Sequence, residues 1–151
     1  MEINFVCLPF NELNIYQLYE LLKLRQEVFI VEQQCYYLDN DGKDLQCFHL
    51  MGIDKEGKII AYARILPPDI SYPDYASFGR IVTAPKVRGK LLGKKLMEEV
   101  MSRCETLFAS IPIKISAQSY LLRFYESFGF LKVGEEYLED DIPHHAMVYY
   151  P

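Results

Sequence analysis

What is scarce in this 151-residue chain narrows it first. Its four cysteines, Cys7, Cys35, Cys47 and Cys104, never fall in a C-x-x-C spacing, which excludes a zinc knuckle and a thioredoxin-type pair and leaves buried free thiols. No apolar run approaches the roughly 20 residues that cross a bilayer. The start, Met1-Glu2-Ile3-Asn4-Phe5, has no basic region ahead of an apolar core, so a soluble, cytoplasmic protein with no membrane partner is expected. Basic surplus is missing too: a net charge of −5 repels a duplex, and no nucleic-acid partner is expected. With no low-complexity tract, internal repeat or linker, and half its residues hydrophobic, the sequence predicts one domain over residues 1–151.

The charges that are present are sorted along the chain. Acidic residues gather at Asp39, Asp41 and Asp44 and again at Glu135, Glu136, Glu139, Asp140 and Asp141, while basic ones gather between Lys86 and Lys95. The basic group lies where apolar Ile81-Val82-Thr83 passes Pro85 into a glycine-containing turn and then a long amphipathic pattern. A helix start leaves backbone N–H groups unpaired at the positive end of its dipole, so this order builds an anion site. Arg88, Lys90, Lys94 and Lys95 add charge, and Gly89 permits close approach. Neither familiar phosphate loop fits: Lys90 and Lys95 are followed by leucines where a Walker loop needs Ser or Thr, and Gly89 and Gly93 do not make a three-glycine fingerprint. A surface helix with a basic first turn is the competing reading. In the acidic 39–44 segment, Leu45, Cys47 and Leu50 stand where a calcium loop needs ligands, so a polar loop without metal is expected.

Periodicity supplies the elements. Residues 3–8 read as a strand stopped by Pro9, and Asn14 with Gln17 as a capping box opening a helix whose stripe includes Ile15, Leu18, Leu22 and Phe29. Arg25 lies on the edge of that stripe and is expected to turn away from the core. Residues 29–35 read as a second short helix or a bend. Segments 46–53 and 58–66 form a hairpin through Asp54-Lys55-Glu56-Gly57, and 77–83 adds a third strand. The helix over 89–108 followed by a strand at 112–117 implies a parallel crossover. A short helix capped by Ser119 ends at Gly129, and 130–137 and 147–150 are the last strands.

This order resembles the GNAT superfamily of acyl-CoA-dependent N-acyltransferases. Arg88-Gly89-Lys90-Leu91-Leu92-Gly93 is similar to its Arg/Gln-x-x-Gly-x-Gly/Ala pyrophosphate loop, with Leu91 in place of the first glycine, and Phe124-Tyr125-Glu126-Ser127-Phe128-Gly129-Phe130 is similar to its helix-to-strand signature. Leu24-Arg25-Gln26-Glu27-Val28-Phe29-Ile30-Val31-Glu32-Gln33, Ala61-Tyr62-Ala63-Arg64, Gly79-Arg80 and Ile142-Pro143-His144 resemble the ElaA-like branch. The resemblance implies an α/β (α+β) fold with a central mixed, mostly antiparallel sheet of about seven strands and helices on both faces.

It further implies acetyl-CoA as cosubstrate and a primary amine as acceptor. Backbone groups of Ile81, Val82 and Thr83 would take the pantetheine arm and the oxyanion, Arg88, Gly89, Lys90, Leu91, Leu92, Gly93 and Lys94 the pyrophosphate, and Gln118 would line the opening. If the helical conformation is kept at Leu91, the loop's N–H groups still face the ligand. Tyr125 resembles the family's general acid to the thiolate; core packing is its other reading. Glu32, His49 and His144 are candidate bases, each equally readable as a structural residue, and a water chain needs none of them. The acidic loops suggest a cationic acceptor, such as a polyamine or a lysine side chain. A cysteine nucleophile and a non-catalytic acyl-CoA-binding regulatory module are the alternatives, and a homodimer is left open.

Overall fold

The computed structural model describes residues 2–89 and 91–151. Strand β1, Ile3–Pro9, leads through a short turn to helix α1, Ile15–Arg25. The helix starts where the capping box places it: the Gln17 N–H donates to Asn14 Oδ1 at 2.8 Å, and the Asn14 N–H donates to Gln17 Oε1 at 3.0 Å. Helical pairing does not stop at Arg25 but widens into a π-helical segment, Gln26–Glu32, in place of the separate helix or bend expected there.

Strands β2, Phe48–Asp54, β3, Ile59–Leu66, and β4, Ser77–Thr83, complete an antiparallel sheet in the order β1-β2-β3-β4. Its two faces follow the two-residue period of a strand. Along β3, Ala61, Ala63 and Ile65 pack into a core with helix α2, Leu92–Phe108, whereas Tyr62 points to the other face and packs with Leu21, Leu24 and Val28 of the first helical segment. Leu92, Leu96, Val100 and Cys104 give α2 its buried stripe, so helices cover both faces as expected. Each such side chain contributes about 1.5–3 kcal/mol when fully buried.

The second half is strand β5, Ile113–Gln118, helix α3, Leu122–Glu126, and strands β6, Leu131–Glu139, and β7, Ile142–Tyr149. These strands form their own sheet in the order β5-β7-β6. The seven strands therefore come as four plus three, joined at one point: the Ala76 N–H donates to the Pro112 carbonyl at 3.0 Å and the Lys114 N–H to the Ala76 carbonyl at 2.9 Å. Beyond that parallel bridge β4 and β5 diverge. A bulge explains the divergence, since Tyr62 faces Val82 but Arg64 faces Gly79, which puts one extra residue into β4. Arg80 sits there with φ +52°, a left-handed backbone that bends the strand.

Two other expectations change. The last strand starts at Ile142, not at residue 147, because Asp140 and Asp141 both adopt positive φ and close a two-residue hairpin. Ser119 caps no helix; its hydroxyl instead pairs with His145 Nδ1 at 3.1 Å. Among the described residues no helix is long and apolar enough to cross a membrane.

Candidate active site

The divergence of β4 and β5 opens a cavity of about 690 Å³. One wall is β4 from Ser77 to Thr83, including Ile81, Val82 and Thr83, and the facing wall is β5 from Ile115 to Gln118. A strand has two hydrogen-bonding edges, and β3 occupies only one edge of β4. The edge turned toward β5 carries N–H and C=O groups that no strand takes up, which is what an extended polar ligand arm needs.

Tyr125 lines the same cavity. Helix α3 holds it between Phe124, Phe78 and Phe130, with ring centroids 5.3, 6.2 and 6.2 Å away, and burial raises the phenol well above its ordinary value. The group is a proton donor at every working pH. His144 enters from β7; its Nδ1 lies 2.6 Å from the Ile142 carbonyl, which only accepts, so Nδ1 carries the hydrogen and Nε2 keeps its lone pair. Glu139 Oε2 stands 3.5 Å from that Nε2, placed to balance an imidazolium.

At the cavity mouth Arg88 donates to both oxygens of Glu32, at 2.6 and 2.7 Å. That hydrogen-bonded pairing lowers the Glu32 carboxyl below its ordinary value and ties up a residue considered as a base. His49 is not in the cavity at all. It is fully buried, with Nε2 2.9 Å from the Asp44 carbonyl and Nδ1 2.7 Å from the Tyr62 hydroxyl; the carbonyl makes Nε2 the donor and Nδ1 the acceptor. Neither nitrogen is free for proton transfer.

Gly89, Leu91, Leu92, Gly93 and Lys94 lie at the start of α2, outside the cavity lining, and Lys90 falls outside the described residues. Leu91 is the residue before the helix and has φ +60°, ψ +15°, so it does not keep the helical conformation assumed for it. This is a left-handed backbone that glycine adopts freely and leucine at a cost of roughly 1–2 kcal/mol. Among the described residues no side chain caps the helix, and its first N–H groups are left for an anion.

Sequence reasoning missed the side chain with the most hydrogen bonds among the described residues. Arg25, expected to face away from the core, is fully buried: Nε donates to Asp39 Oδ2 at 2.9 Å, Nη1 to Asp44 Oδ1 at 2.8 Å and Nη2 to the Asp39 carbonyl at 3.0 Å. Arg64 takes Asp41 through two bonds, at 2.8 and 3.0 Å, and shares Asp44; Arg80 takes Asp39 at 2.8 Å. The 39–44 loop is thus an ion-pair network, buried at Arg25, Asp39 and Asp44 and open to the cavity at Asp41 and Arg80, and its carboxylates are taken by arginines rather than free to attract a cation. Burial alone would raise the Asp41 carboxyl, but Arg64 outweighs it and holds it at about 2. The signal was available: Arg25 recurs at helical spacing with Leu21 and Leu22, and Arg64 follows Ala61-Tyr62-Ala63 in an otherwise apolar strand.

Helix ends, splayed strands and a buried tyrosine are general devices, and comparison with known proteins decides among their uses. The model of the acetyltransferase (GNAT) domain matches residues 25–151. The chain belongs to the GNAT acetyltransferase family. Within that family it is ElaA-like: protein ElaA of Escherichia coli is 42% identical over 147 residues, covering 96% of this chain and 95% of that one. A UPF0039 protein of Synechocystis is 41% identical over 149 residues, 99% and 96% of the two chains. Among solved structures, an acyl-CoA N-acyltransferase of Pseudomonas aeruginosa superposes with a TM-score of 0.92 at 39% identity, covering 98% of this chain and 99% of that one. E. coli ElaA superposes with a TM-score of 0.91 over the same shares. As a GNAT protein the chain is an acyl-CoA-dependent acyltransferase, and the β4/β5 opening with the uncapped start of α2 fits a long anionic thioester.

Proposed function

We propose that the protein transfers an acetyl group from acetyl-CoA to a primary amine by direct attack within a ternary complex. The supporting observation is that one cavity collects the free edge of β4, the Tyr125 phenol and His144. Acetyl-CoA supplies an activated thioester when bound. Its pyrophosphate would be held by the first N–H groups of α2 together with Arg88 and Gly89, and its pantetheine arm by the edges of β4 and β5, with Gln118 at the opening.

The chain's own groups then divide the work. Backbone N–H groups that β4 turns toward the cleft within Ile81, Val82 and Thr83, the Val82 N–H on the β3 side excepted, stabilise negative charge on the carbonyl oxygen through geometry, independent of side chain. Tyr125 donates its proton to the departing sulfur, and the lone pair on His144 Nε2 takes the proton from the incoming amine, with Glu139 balancing the charge that results. A cysteine nucleophile is disfavoured by the thiols themselves: burial raises Cys47 to about 11 and Cys104 to about 12, and burial with Asp140 and Asp141 raises Cys35 in the cavity wall. Glu139 and Asp140 also line the cavity and would draw a cationic amine inward.

Thiol release followed across a panel of amines with acetyl-CoA tests the reading. Tyr125→Phe is expected to lower kcat by about 10²- to 10⁴-fold while leaving the KM for acetyl-CoA nearly unchanged; undiminished turnover removes Tyr125 as the acid. Coenzyme A binding with no release on any amine would replace the enzyme with a non-catalytic acyl-CoA-binding module.

A further inference from the structure

One wall of the cavity has no task in acetyl transfer. Lys43, Arg64, Ser71 and Arg80 line it with Tyr37 and Asp41. Around it four cations, Arg25, Arg64, Arg80 and Lys43, meet the three carboxylates of Asp39, Asp41 and Asp44, so one positive charge is in excess. Lys43 is the residue left over: its Nζ donates to Ser71 Oγ at 3.2 Å, and no carboxylate among the described residues pairs with it. Arg80 stands beside it because of the β4 bulge; its left-handed backbone turns the guanidinium onto Asp39 through Nε and Nη2, which leaves Nη1 without an acceptor among the described residues. The arginine is pinned on one side and unpaired on the other.

Across the cavity the wall changes sign. The β6–β7 turn brings Glu139 and Asp140 to the lining, and the Asp140 carbonyl accepts from Cys35 Sγ at 3.5 Å, which closes the turn against the segment leading to Lys43. A space with a carboxylate-free ammonium and one open guanidinium nitrogen on one wall and two carboxylates beside a histidine on the other matches a ligand that carries both charges. We propose that the acceptor is an amine that also bears a carboxylate, an amino-acid-like zwitterion. Its carboxylate binds Lys43 and Arg80, and its ammonium is drawn to Glu139 and Asp140, next to His144. A polyamine fits less well, since a second ammonium would meet the excess charge of Lys43. The assignment rests on the acetyl-transfer reading and sharpens its acceptor.

Matched acceptors that differ only at the carboxylate provide the test: α-amino acids, their amides and the corresponding decarboxylated amines, each with acetyl-CoA, followed by thiol release and product mass. The acid is expected to exceed its amide in kcat/KM by about 10- to 100-fold, the scale of a charge-assisted contact. Lys43→Met should bring that ratio close to one, and Lys43→Arg should restore most of it. Equal or better turnover of the amides and amines, or a ratio unmoved by Lys43→Met, overturns the zwitterion while leaving acetyl transfer intact. Should no amine be acetylated at all, acetyl transfer itself fails, and calorimetric titration of the coenzyme A-loaded protein with the same acids and amides still decides. Preference for the acids, lost in Lys43→Met, supports the carboxylate site; no preference sinks it.

Discussion

Replacing Arg25 by methionine is the sharpest probe of how this site is held. Methionine fills much of the same volume and packs against the surrounding apolar side chains, but it donates no hydrogen bond. The change would remove donors from Asp39 Oδ2, the Asp39 carbonyl and both Asp44 oxygens, all at 2.8 to 3.3 Å and all buried. Breaking a buried ion pair from one side costs about 3–5 kcal/mol, because the carboxylate left behind cannot reach water. Here the lower end applies: Asp39 keeps Arg80 and Asp44 keeps Arg64. A loss of about 3 kcal/mol lowers the melting temperature of a chain this size by roughly 6–12 °C. Urea unfolding followed by circular dichroism reads it directly, as a lower midpoint at unchanged slope. Combining Arg25→Met with Asp44→Asn should cost at least ~1 kcal/mol less than the sum of the two, since they share one network. A single-mutant loss under about 1 kcal/mol, the value of a solvent-exposed pair, would refute the claim that Arg25 and its carboxylates are cut off from water.

Three further outcomes follow from individual contacts. Glu32→Gln takes away the carboxylate that occupies Arg88, and coenzyme A should bind about 2- to 5-fold tighter by calorimetry, whereas Arg88→Ala should weaken it. Leu91→Gly removes a left-handed leucine but adds freedom to the unfolded chain, so thermal unfolding should show a gain of ~0–1 kcal/mol and never a loss beyond that range. His49 has its proton affinity lowered by burial, so well above the unfolded value of about 6.5 it is neutral folded or unfolded and contributes nothing. As pH falls below the unfolded value the unfolded chain gains the proton first, and stability should drop in that window; in His49→Gln this part of the drop should vanish.

Legibility in the sequence tracked the range of the interaction. The capping box of Asn14 and Gln17, the α2 stripe and the Gly57 hairpin are fixed by residues within a turn of each other, and all three stand where the pattern puts them. Tyr125 was found through a local motif and does reach the cavity. The network of Arg25, Asp39, Asp41, Asp44, Arg64 and Arg80 joins a helix, a loop and two strands, and no spacing rule reports contacts over such separations. An arginine on the edge of an apolar stripe reads as exposed unless its partners are known. His49 shows the reverse error: a residue type with the right chemistry, placed by the fold where both nitrogens are occupied. Asp140 and Asp141 lack the glycine that usually announces a two-residue hairpin, which hid the first residues of β7.

The divergence of β4 from β5 has a bearing on how the chain avoids its neighbours. Unpaired strand edges recruit other chains, and a protein that needs such an edge for its chemistry must keep it from sticking to copies of itself. Here the two reactive edges face one another inside a cleft. A second polypeptide strand would have to bring its side chains in on both faces, one of which Phe78 and Tyr125 already fill, whereas a thin, unbranched arm can slide between. The same bend that opens the edge thus also filters what can add to it.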